Sequence, residues 1–435
     1  MAAVRHEVVV AWQPHCAHAT PRYHEAMTKL VRNLPHPADF QAPPSVADRA
    51  RWAAADVAAR PARLARVRAR LAAEGVDAYF GIRPEHMRYL TGFALDDAED
   101  KVSGNSGRFF VSADQVVVLA DTRYRLQAAA QAPQARIQAT TNDMVAGWQE
   151  WLKMLGARRV AVESDLVSHR LWGQLQAAAP EVELVEAAGW IEADRAIKEP
   201  SEIERIKSAG AVADRALAAL LRRIKPGMTE RELALALEWE MRTGGADALA
   251  FGIACLAGSN AALPHGSPSD REVRIGQVLL FDFGANVDGY RSDMTRTLFV
   301  GEPRARDLEI YEIVAAAQTA SIALLEAALK SGGVAPSGRA VDAAARQVME
   351  AAGHGEHFGH GTGHGIGLAT HELPSLSRVA SEEPLPSPTV FSVEPGIYLD
   401  GETGVRIEDL VLLDLTRTDL PRLTGFPREV LVVGV

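Results

Sequence analysis

The sequence predicts an α/β domain followed by an α+β domain. The chain has 435 residues, more than a single hydrophobic core usually serves. From about residue 60 to residue 190, short apolar strands alternate with segments of helical periodicity, as in α/β domains. Further on, strands come in pairs with helices between them, which favours antiparallel sheet covered by helices. We therefore predict an arm of uncertain order over 1–55, an α/β domain over 56–192 and an α+β domain over 193–435.

The first part of the chain gives the pattern for the α/β domain. The Pro-rich stretch NLPHPADFQAPPS predicts irregular or extended structure. The helical pattern begins in RPARLARVRARLAAEG and ends at Gly75. Further strands are predicted in VDAYFGI, GRFFVSADQVVVLAD and RRVAVES, with helices in TNDMVAGWQEWLKMLGA and DLVSHRLWGQLQAAAP.

The second part contains helices and two long strand pairs. Pro200 and a capping box of Ser201 with Glu204 predict the start of one helix, and Thr229 with Glu232 predict the start of the next. Two more helices are predicted over about 306–331 and 338–352. The strand pairs are QVLLFDFGANVDGYRSDMTRTLFV and TVFSVEPGIYLDGETGVRIEDLVLLDL, which suit an antiparallel sheet.

Composition excludes several classes of protein. The net charge of −10 argues against nucleic acid and anionic membranes as partners. Two cysteines, Cys16 and Cys255, exclude a disulfide framework and an all-cysteine metal site. No apolar run approaches the ~20 residues of a membrane span, and His, Gln and Pro interrupt the apolar patch near the start, which makes it a poor signal peptide. A cytoplasmic enzyme is therefore expected.

The first strand pair brings two aspartates together in apolar surroundings. Asp288-Gly289 is a strong signal for a two-residue hairpin turn. With that turn, Gly284 faces Asp293, and Asp282 shares the face of Gly284 at roughly 6–8 Å from Asp293. Because the flanking residues are Leu, Phe and Met, these carboxylates repel each other unless a cation lies between them.

The second strand pair has the same property. If its turn centres on Gly401, Glu394 lies directly opposite Glu408. Each acid stands among Val, Phe, Ile and Leu, and like charges placed opposite each other are destabilising without a counter-ion.

Together the four acids predict a site for two metal ions. Four carboxylates and one imidazole can hold two divalent cations if two of the acids bridge both ions. The segment GHGEHFGHGTGHGIGLATHELP, residues 353–374, contains five of the 13 histidines and can supply the imidazole. Its glycines disfavour a helix, which argues against His360 and His364 as a helical zinc pair.

Five successive segments resemble the signatures of the pita-bread metallopeptidases, the family of Xaa-Pro dipeptidases (prolidases) and Xaa-Pro aminopeptidases. They are PHGSPSD, FDFGANVDGYRSDMTRT, HGTGHGIGLATHELP, SVEPGIYL and GVRIEDLVLL, in fitting order across about 265–412. YLTGF and ADTRY resemble markers of a creatinase-type N-terminal domain and extend the likeness, more loosely, to 60–435. The resemblance implies a creatinase-type α/β domain followed by a pita-bread α+β domain.

The resemblance also implies which residues bind two divalent metal ions. Asp282 would bind one ion, Asp293 and Glu408 would bridge both, and His364 and Glu394 would complete the shell of the other. Carboxylate-rich ligation with one imidazole favours Mn²⁺, with Co²⁺ or Zn²⁺ as alternatives.

Further residues are implied around the metals. His371 and His265 would face the substrate, and His360 would line the same cavity. Arg406, two residues before Glu408 on the same face, would orient the acids without binding metal itself.

The implied reaction is hydrolysis of the amide bond to proline. A hydroxide bridging two metals would attack the carbonyl. Glu394 would carry the proton from water to the departing proline nitrogen. His371 would donate to the developing oxyanion, and His265 would help to hold the substrate.

The length of the peptide substrate depends on which residue recognises the C-terminus of the peptide. A dipeptidase must recognise the free carboxylate of proline, for which an arginine is the usual reader. Arg378 is one candidate. Asp97 and Arg108 form another, by closing the cleft of a neighbouring subunit in the homodimer that the family implies. PHGSPSD and EPGIYLDGETGVRIED resemble bacterial dipeptidases, so we expect an Xaa-Pro dipeptidase, with an Xaa-Pro aminopeptidase as the alternative.

Other members of the fold offer different functions. Creatinase-like enzymes and non-catalytic relatives lack the metal acids, whereas all five ligands are present in this sequence. Methionine aminopeptidases usually lack an N-terminal domain. A non-peptide amide hydrolase, as in cleavage of ectoine derivatives, stays as a less favoured alternative.

Overall fold

A computed structural model describes residues 34–95, 104–141 and 143–434. Its first long helix, α1 (Val46–Glu74), contains the predicted boundary between residues 55 and 56, so the helix begins earlier than predicted. Ser45 caps it, because its side chain accepts from the backbone of Asp48 while Asp48 accepts from the backbone of Ser45. The sequence analysis missed this start because Pro61, which lies inside the helix, separates the Ala-rich first half from the periodic second half.

The segment before α1 packs on the second domain. Arg215 donates to the carbonyl of Pro37 at 2.7 Å, and the ring of Phe40 stacks on Phe426 with centroids 5.7 Å apart. The described part of the predicted arm is therefore fixed against the body of the protein, while residues 1–33 lie outside the described ranges.

The first domain is a mixed sheet with helices on its faces. Its strands are β1 (Ala78–Gly81), β2 (Phe109–Ser112), β3 (Val116–Ala120), β4 (Arg136–Ala139), β5 (Arg159–Val162) and β6 (Glu183–Glu186). Its further helices are α2 (Pro84–Thr91), α3 (Arg125–Gln131), α4 (Met144–Leu155), α5 (His169–Ala178) and α6 (Trp190–Ala196). The sheet order is β4-β3-β2-β1-β5-β6, with β1–β2 and β2–β3 antiparallel and the other pairs parallel. The predicted α/β class is confirmed.

The second domain combines antiparallel sheets with long helices. The helices are α7 (Pro200–Leu221), α8 (Glu230–Thr243), α9 (Ala305–Ser331) and α10 (Gly338–Ala351). The strands are β7 (Ala248–Leu249), β8 (Ala254–Ala257), β9 (Val278–Phe283), β10 (Ala285–Val287), β11 (Tyr290–Arg291), β12 (Met294–Val300), β13 (Gly363–Gly365), β14 (Glu372–Leu376), β15 (Thr389–Val393), β16 (Gly396–Leu399), β17 (Thr403–Arg406), β18 (Asp409–Leu413) and β19 (Val432–Val433). The two larger sheets have the orders β19-β12-β9-β8 and β14-β13-β15-β18.

The helix starts confirm one predicted capping box and correct the other. Thr229 and Glu232 cap α8 reciprocally, as predicted. Helix α7 instead begins at Pro200 and is capped by Glu199 with Glu202, so the box predicted at Ser201 and Glu204 is wrong. Pro200 suits the first helical position because it has no N–H to leave unsatisfied.

The registers of both strand pairs are as predicted. In the first, Asp282 pairs with Thr295 and Phe283 with Met294, and Asp288 and Gly289 form the turn with φ of 48° and 77°. In the second, Val393 pairs with Asp409 on one side of the site. On the other side Gly396 pairs with Arg406, so the same register brackets Glu394 and Glu408.

Helix α9 (Ala305–Ser331) agrees with the helix predicted over about 306–331. By length and composition alone, it is the one helix of the described ranges that could cross a membrane. In the fold it packs against α10 and the sheet, and its buried Gln318 donates to the carbonyl of Val393 and to the carboxylate of Asp409, both at 3.1 Å. These contacts are those of a core helix.

Candidate metal centre

The four predicted acids lie where strands end. Asp282 is the penultimate residue of β9, and Asp293 precedes β12. Glu394 follows β15, and Glu408 precedes β18. Asp282 is paired within its sheet, whereas Asp293, Glu394 and Glu408 lie just outside the paired strands.

The predicted histidine meets these acids. Nε2 of His364 lies 3.2 Å from Oε1 of Glu394 and 3.7 Å from Oδ2 of Asp293. Asp293, His364 and Glu408 each offer a ligand atom, and these atoms lie within 4.8 Å of one another. Nδ1 of His364 lies 3.1 Å from the carbonyl of Gly365, so a proton on Nδ1 leaves the lone pair of Nε2 facing the acids.

Arg406 contacts one of the acids directly and a second through Thr295. It donates to Oδ2 of Asp282 at 2.5 Å and to the hydroxyl of Thr295 at 2.8 Å. Thr295 in turn donates to Oε2 of Glu408 at 2.8 Å. A third acid is held by Ser392, whose hydroxyl lies 3.0 Å from Oε1 of Glu394.

The remaining carboxylate oxygens have no partner. Oδ1 of Asp282, Oδ1 of Asp293 and Oε1 of Glu408 are buried and lack a hydrogen bond from any described residue. A buried acceptor left unsatisfied costs roughly 1–3 kcal/mol, and more when it is charged. Divalent cations would satisfy all three oxygens, so the residues present fit the metal ions that the resemblance implies.

The electrostatics of the cluster point the same way. Burial, followed by the charges of neighbouring acids, raises the pKa of Asp293 and that of Glu408 well above their usual values. Burial works against the charged forms of Glu394 and His364 too, but their mutual pairing prevails, lowering the pKa of Glu394 to about 2 and raising that of His364 to about 9. Without metal the site therefore retains protons, which cations would displace on binding.

The predicted ligands line a cavity of about 430 Å³. The lining also includes His265 and His371, which were predicted to face the substrate, and His360, which was predicted to line the same cavity. Nε2 of His360 lies 2.8 Å from the hydroxyl of Tyr398, which accepts from Arg406 at 2.8 Å. Burial lowers the pKa of His360 and of His371, which favours neutral imidazoles.

Two of the three residues predicted to read the end of the peptide, Arg378 and Arg108, are absent from the lining of the metal cavity. Arg378 is exposed and lines a neighbouring cavity of about 720 Å³, which shares His360 and Ser377 with the metal cavity. Arg108 belongs to the first domain, where it donates to the carbonyl of Ile82 at 2.9 Å. Asp97 lies outside the described residues.

Sequence reasoning missed three polar side chains of the site: Thr295, Ser392 and Tyr398. The register offered a signal for two of them, since Thr295 pairs with Asp282 and Ser392 shares the face of Glu394 two residues on. Tyr398 pairs with Gly404, away from any predicted ligand, so nothing in the pattern marked it.

A two-domain fold with four acids and an imidazole around one cavity defines a metal-dependent hydrolase. The family model described as "Metallopeptidase family M24" matches residues 204–414, and that of the "Creatinase/Prolidase N-terminal domain" matches residues 63–197. The chain belongs to metallopeptidase family M24 and is a metal-dependent peptidase.

Individual relatives agree with this family. An uncharacterized peptidase of Bacillus subtilis is 33% identical over 359 residues, which span 82% of this chain and 96% of that protein. The structure of an Xaa-Pro dipeptidase from Bacillus anthracis is 32% identical, with a TM-score of 0.76 over 86% of this chain and 100% of that one. An X-Pro aminopeptidase from Thermotoga maritima is also 32% identical, with a TM-score of 0.75 over 85% of this chain and 99% of that one. The predicted creatinase-type and pita-bread folds are confirmed, and the protein is prolidase-like.

Proposed function

We propose that the protein is a dinuclear-metal Xaa-Pro dipeptidase. The observation that carries this proposal is the set of three buried, unpartnered carboxylate oxygens beside the Nε2 of His364 in one cavity. The dipeptidase from Bacillus anthracis and the aminopeptidase from Thermotoga maritima are both 32% identical to the chain, so the choice between the two activities depends on the residues around the site.

Five side chains would hold the ions. Asp282 would bind one, His364 and Glu394 the other, and Asp293 and Glu408 both. Carboxylate oxygens with one imidazole suit Mn²⁺, with Co²⁺ or Zn²⁺ as alternatives. When bound, two such ions supply Lewis acidity that polarises a carbonyl and makes water a nucleophile near neutral pH.

Glu394 is the proton carrier in this mechanism. The hydrogen bond from Ser392 and the contact with His364 hold its carboxylate at the cavity wall. An ionised carboxylate accepts the proton of the attacking water and returns it to the departing proline nitrogen, which has no N–H of its own as an amide.

His371 and His265 act on the substrate. A neutral His371 can donate a ring N–H to the oxygen that becomes negative, a contact worth ~3 kcal/mol in comparable sites. His265 lines the same cavity and would hold the peptide. His360, fixed by the hydroxyl of Tyr398, would complete the wall.

The cavity volume supports a small substrate. About 430 Å³ suits a dipeptide within the range of small-molecule sites. Arg378, at the edge shared with the neighbouring cavity, is our candidate reader of the free proline carboxylate. Asp97 and Arg108 stay candidates for closing the cleft of a partner in a homodimer, and we place the enzyme in the cytoplasm.

The test is hydrolysis by metal-stripped protein reloaded with Mn²⁺. Ala-Pro and Gly-Pro are expected to be cleaved faster than Ala-Pro-Ala. Replacing Arg378 by Ala should raise KM for Ala-Pro by about tenfold, the loss of one charge-assisted contact. Arg339→Ala, which removes an exposed arginine paired with Glu382, should leave KM unchanged. Cleavage of the tripeptide alone would overturn the dipeptidase proposal.

The alternative is an Xaa-Pro aminopeptidase, and one observation favours it. The neighbouring cavity of about 720 Å³ adjoins the metal cavity along His360, Gly361 and Ser377, so it offers room for residues that follow proline. In that case Ala-Pro-Ala is the better substrate, and Arg378→Ala changes neither activity by more than twofold.

A further inference from the structure

We propose that Glu230, which lies outside the metal cavity, is the positioning residue for the loop that carries His265. The loop runs from Ala257 at the end of β8 to Ser269, with His265 near its tip. The proposal rests on the proposed function, because it matters for catalysis only if His265 holds the substrate.

The carboxylate of Glu230 bonds both ends of this loop. At the start, it accepts from the backbone of Ala257 at 2.7 Å and from the amide of Asn260 at 2.9 and 3.1 Å. At the end, it accepts from the backbone of Ser269 at 2.9 Å and from the hydroxyl of Ser269 at 2.6 Å. One side chain therefore holds the two ends of this loop together.

The position of Glu230 makes these bonds strong. The residue is fully buried, at 0% exposure, and opens helix α8, where backbone N–H groups favour a negative charge. All the donors to its carboxylate are neutral groups of this loop, and hydrogen bonds to a charged acceptor are stronger than those between neutral groups. The backbone of Glu230 adds a bond to the carbonyl of Arg271 at 3.0 Å, which extends the attachment beyond Ser269.

The middle of the loop packs against strand β17, which carries Arg406. A Cβ at Gly404 in β17 would lie 1.8 Å from the carbonyl of Ala261, so loop and strand are in direct backbone contact. Arg406, from the same strand, lies 3.4 Å from the carbonyl of Pro264. With its base held by Glu230 and its tip against Arg406, the loop leaves His265 little freedom to move from the cavity.

The main experiment is a double-mutant cycle on Ala-Pro with Mn²⁺-loaded protein. Glu230→Gln exchanges an acceptor oxygen for an NH₂ group facing other donors, and we expect kcat/KM to fall roughly ten- to a hundredfold. His265→Ala should cause a loss of similar size. In the His265→Ala background, adding Glu230→Gln should change kcat/KM by less than twofold, and bound Mn²⁺ should be equal in all four proteins.

Two variants calibrate the result. Glu232→Gln alters a carboxylate of the same helical turn that bonds only the start of its own helix, and should retain full activity. Ser269→Ala removes a single donor to Glu230 and should give a smaller loss in the same direction, even if Glu230→Gln folds poorly. An equal loss from Glu230→Gln in both backgrounds, or full activity of Glu230→Gln, overturns the proposal.

A second measurement does not depend on activity. Hydrogen exchange of residues 258–269 should be faster in Glu230→Gln than in the native protein, while that of β12 should not change. If the native protein cleaves no Xaa-Pro peptide, the proposed function fails, and unchanged exchange in 258–269 is then the result that refutes the positioning of the loop.

Discussion

At the scale of single residues, Asp293 is a buried acid surrounded by other acids. It is 5% exposed, and Glu408, Asp282 and Glu394 all raise its pKa in addition to burial. Oδ1 of Asp293 is one of the unpartnered oxygens. Its carboxylate is therefore destabilising without cations, and in the proposed site it would bind both of them.

We predict that Asp293→Asn abolishes metal uptake and peptidase activity. Even partners that only orient a ligand change affinity by 10–100-fold, so losing a shared ligand should cost at least about a hundredfold. In the metal-free protein the same change removes the cost of burying a carboxyl group whose pKa is raised by burial and by neighbouring acids, so its thermal midpoint should equal or exceed that of the native chain. Metal content and thermal unfolding with and without Mn²⁺ check both parts.

Asp400→Asn is the matched control, since Asp400 is exposed beside the turn at Gly401. It should keep both metal and activity. An Asp293→Asn protein that still binds two ions would remove the bridging role.

The acids of the site could be found from the sequence because strand alternation and turn position fix which side chains share a face. The same register places Thr295 opposite Asp282, but a threonine on a buried face does not by itself indicate a functional site. Tyr398 and Glu230 were beyond reach, because each acts through contacts between segments far apart in the chain.

At the scale of elements, β13 places His364 through its glycines. A Cβ at Gly363 would lie 1.9 Å from the carbonyl of Ser392 in β15, closer than atoms can approach. Ser392 also accepts from the backbone of His364 at 3.0 Å and donates to Glu394. Close approach of the two backbones thus sets the distance between two proposed ligands.

We predict that Gly363→Ala weakens Mn²⁺ binding by about tenfold or more, although it removes no ligand. The methyl group forces β13 away from β15 and separates His364 from Glu394. Gly359→Ala in the same Gly-rich segment should bind Mn²⁺ like the native protein, because no atom lies within 4 Å of its added carbon. Calorimetric titration of stripped proteins makes the comparison, and equal affinities for both variants would contradict the argument.

Among the elements, the hairpins and the cap of α8 were predictable, whereas the first turns of α1 and the cap of α7 were not. Turn chemistry at Asp288-Gly289 is local, and the structure has both residues in the left-handed region. Two overlapping capping patterns are possible at the start of α7. The carboxylate of Glu204 is not part of the cap, because it accepts a hydrogen bond from the indole N–H of Trp52 in α1 at 2.8 Å. Such tertiary partners override a local signal.

For the whole molecule, a buried ion triad joins the link between the domains to the metal site. Glu372, next to His371, pairs with Lys198 at 2.7 Å and with Arg195 in a closer contact. The exposure of the three side chains is 5% or less. Burial opposes the charge of Glu372, but Arg195 and Lys198 outweigh it and lower its pKa.

We predict that Glu372→Gln destabilises the metal-free protein by about 3–5 kcal/mol, because two buried cations lose their counter-charge. Urea unfolding at pH 7 measures the change. Since the folded pKa of Glu372 lies below its unfolded value, this stabilisation is complete above the unfolded pKa of about 4 and lost as the pH falls through the folded pKa.

The control is Glu382→Gln, which breaks the exposed pair with Arg339 and should cost less than about 1 kcal/mol. Equal effects of Glu372→Gln and Glu382→Gln would mean that the buried triad adds nothing to the joint between the domains.

The order of the domains could be predicted from the alternation of strands and helices. The packing of one domain against the other could not be predicted. Trp190 of the first domain and Ile366 and Leu410 of the second belong to a single apolar cluster. Lys198 gave no sign in the sequence of being fully buried, since a lysine in a linker is ordinarily solvated.

The oxygen-rich ligand set has a bearing on any preparation of this protein. Affinities of such sites rise from manganese through cobalt and nickel to copper, with zinc also binding well. The metal found in a purified sample will therefore depend on which ion was most abundant in its growth medium, affinity resin or buffer. Turnover per ion, measured on batches emptied with a chelator and refilled one element at a time, identifies the working metal, whereas an elemental assay of the purified material records only its history.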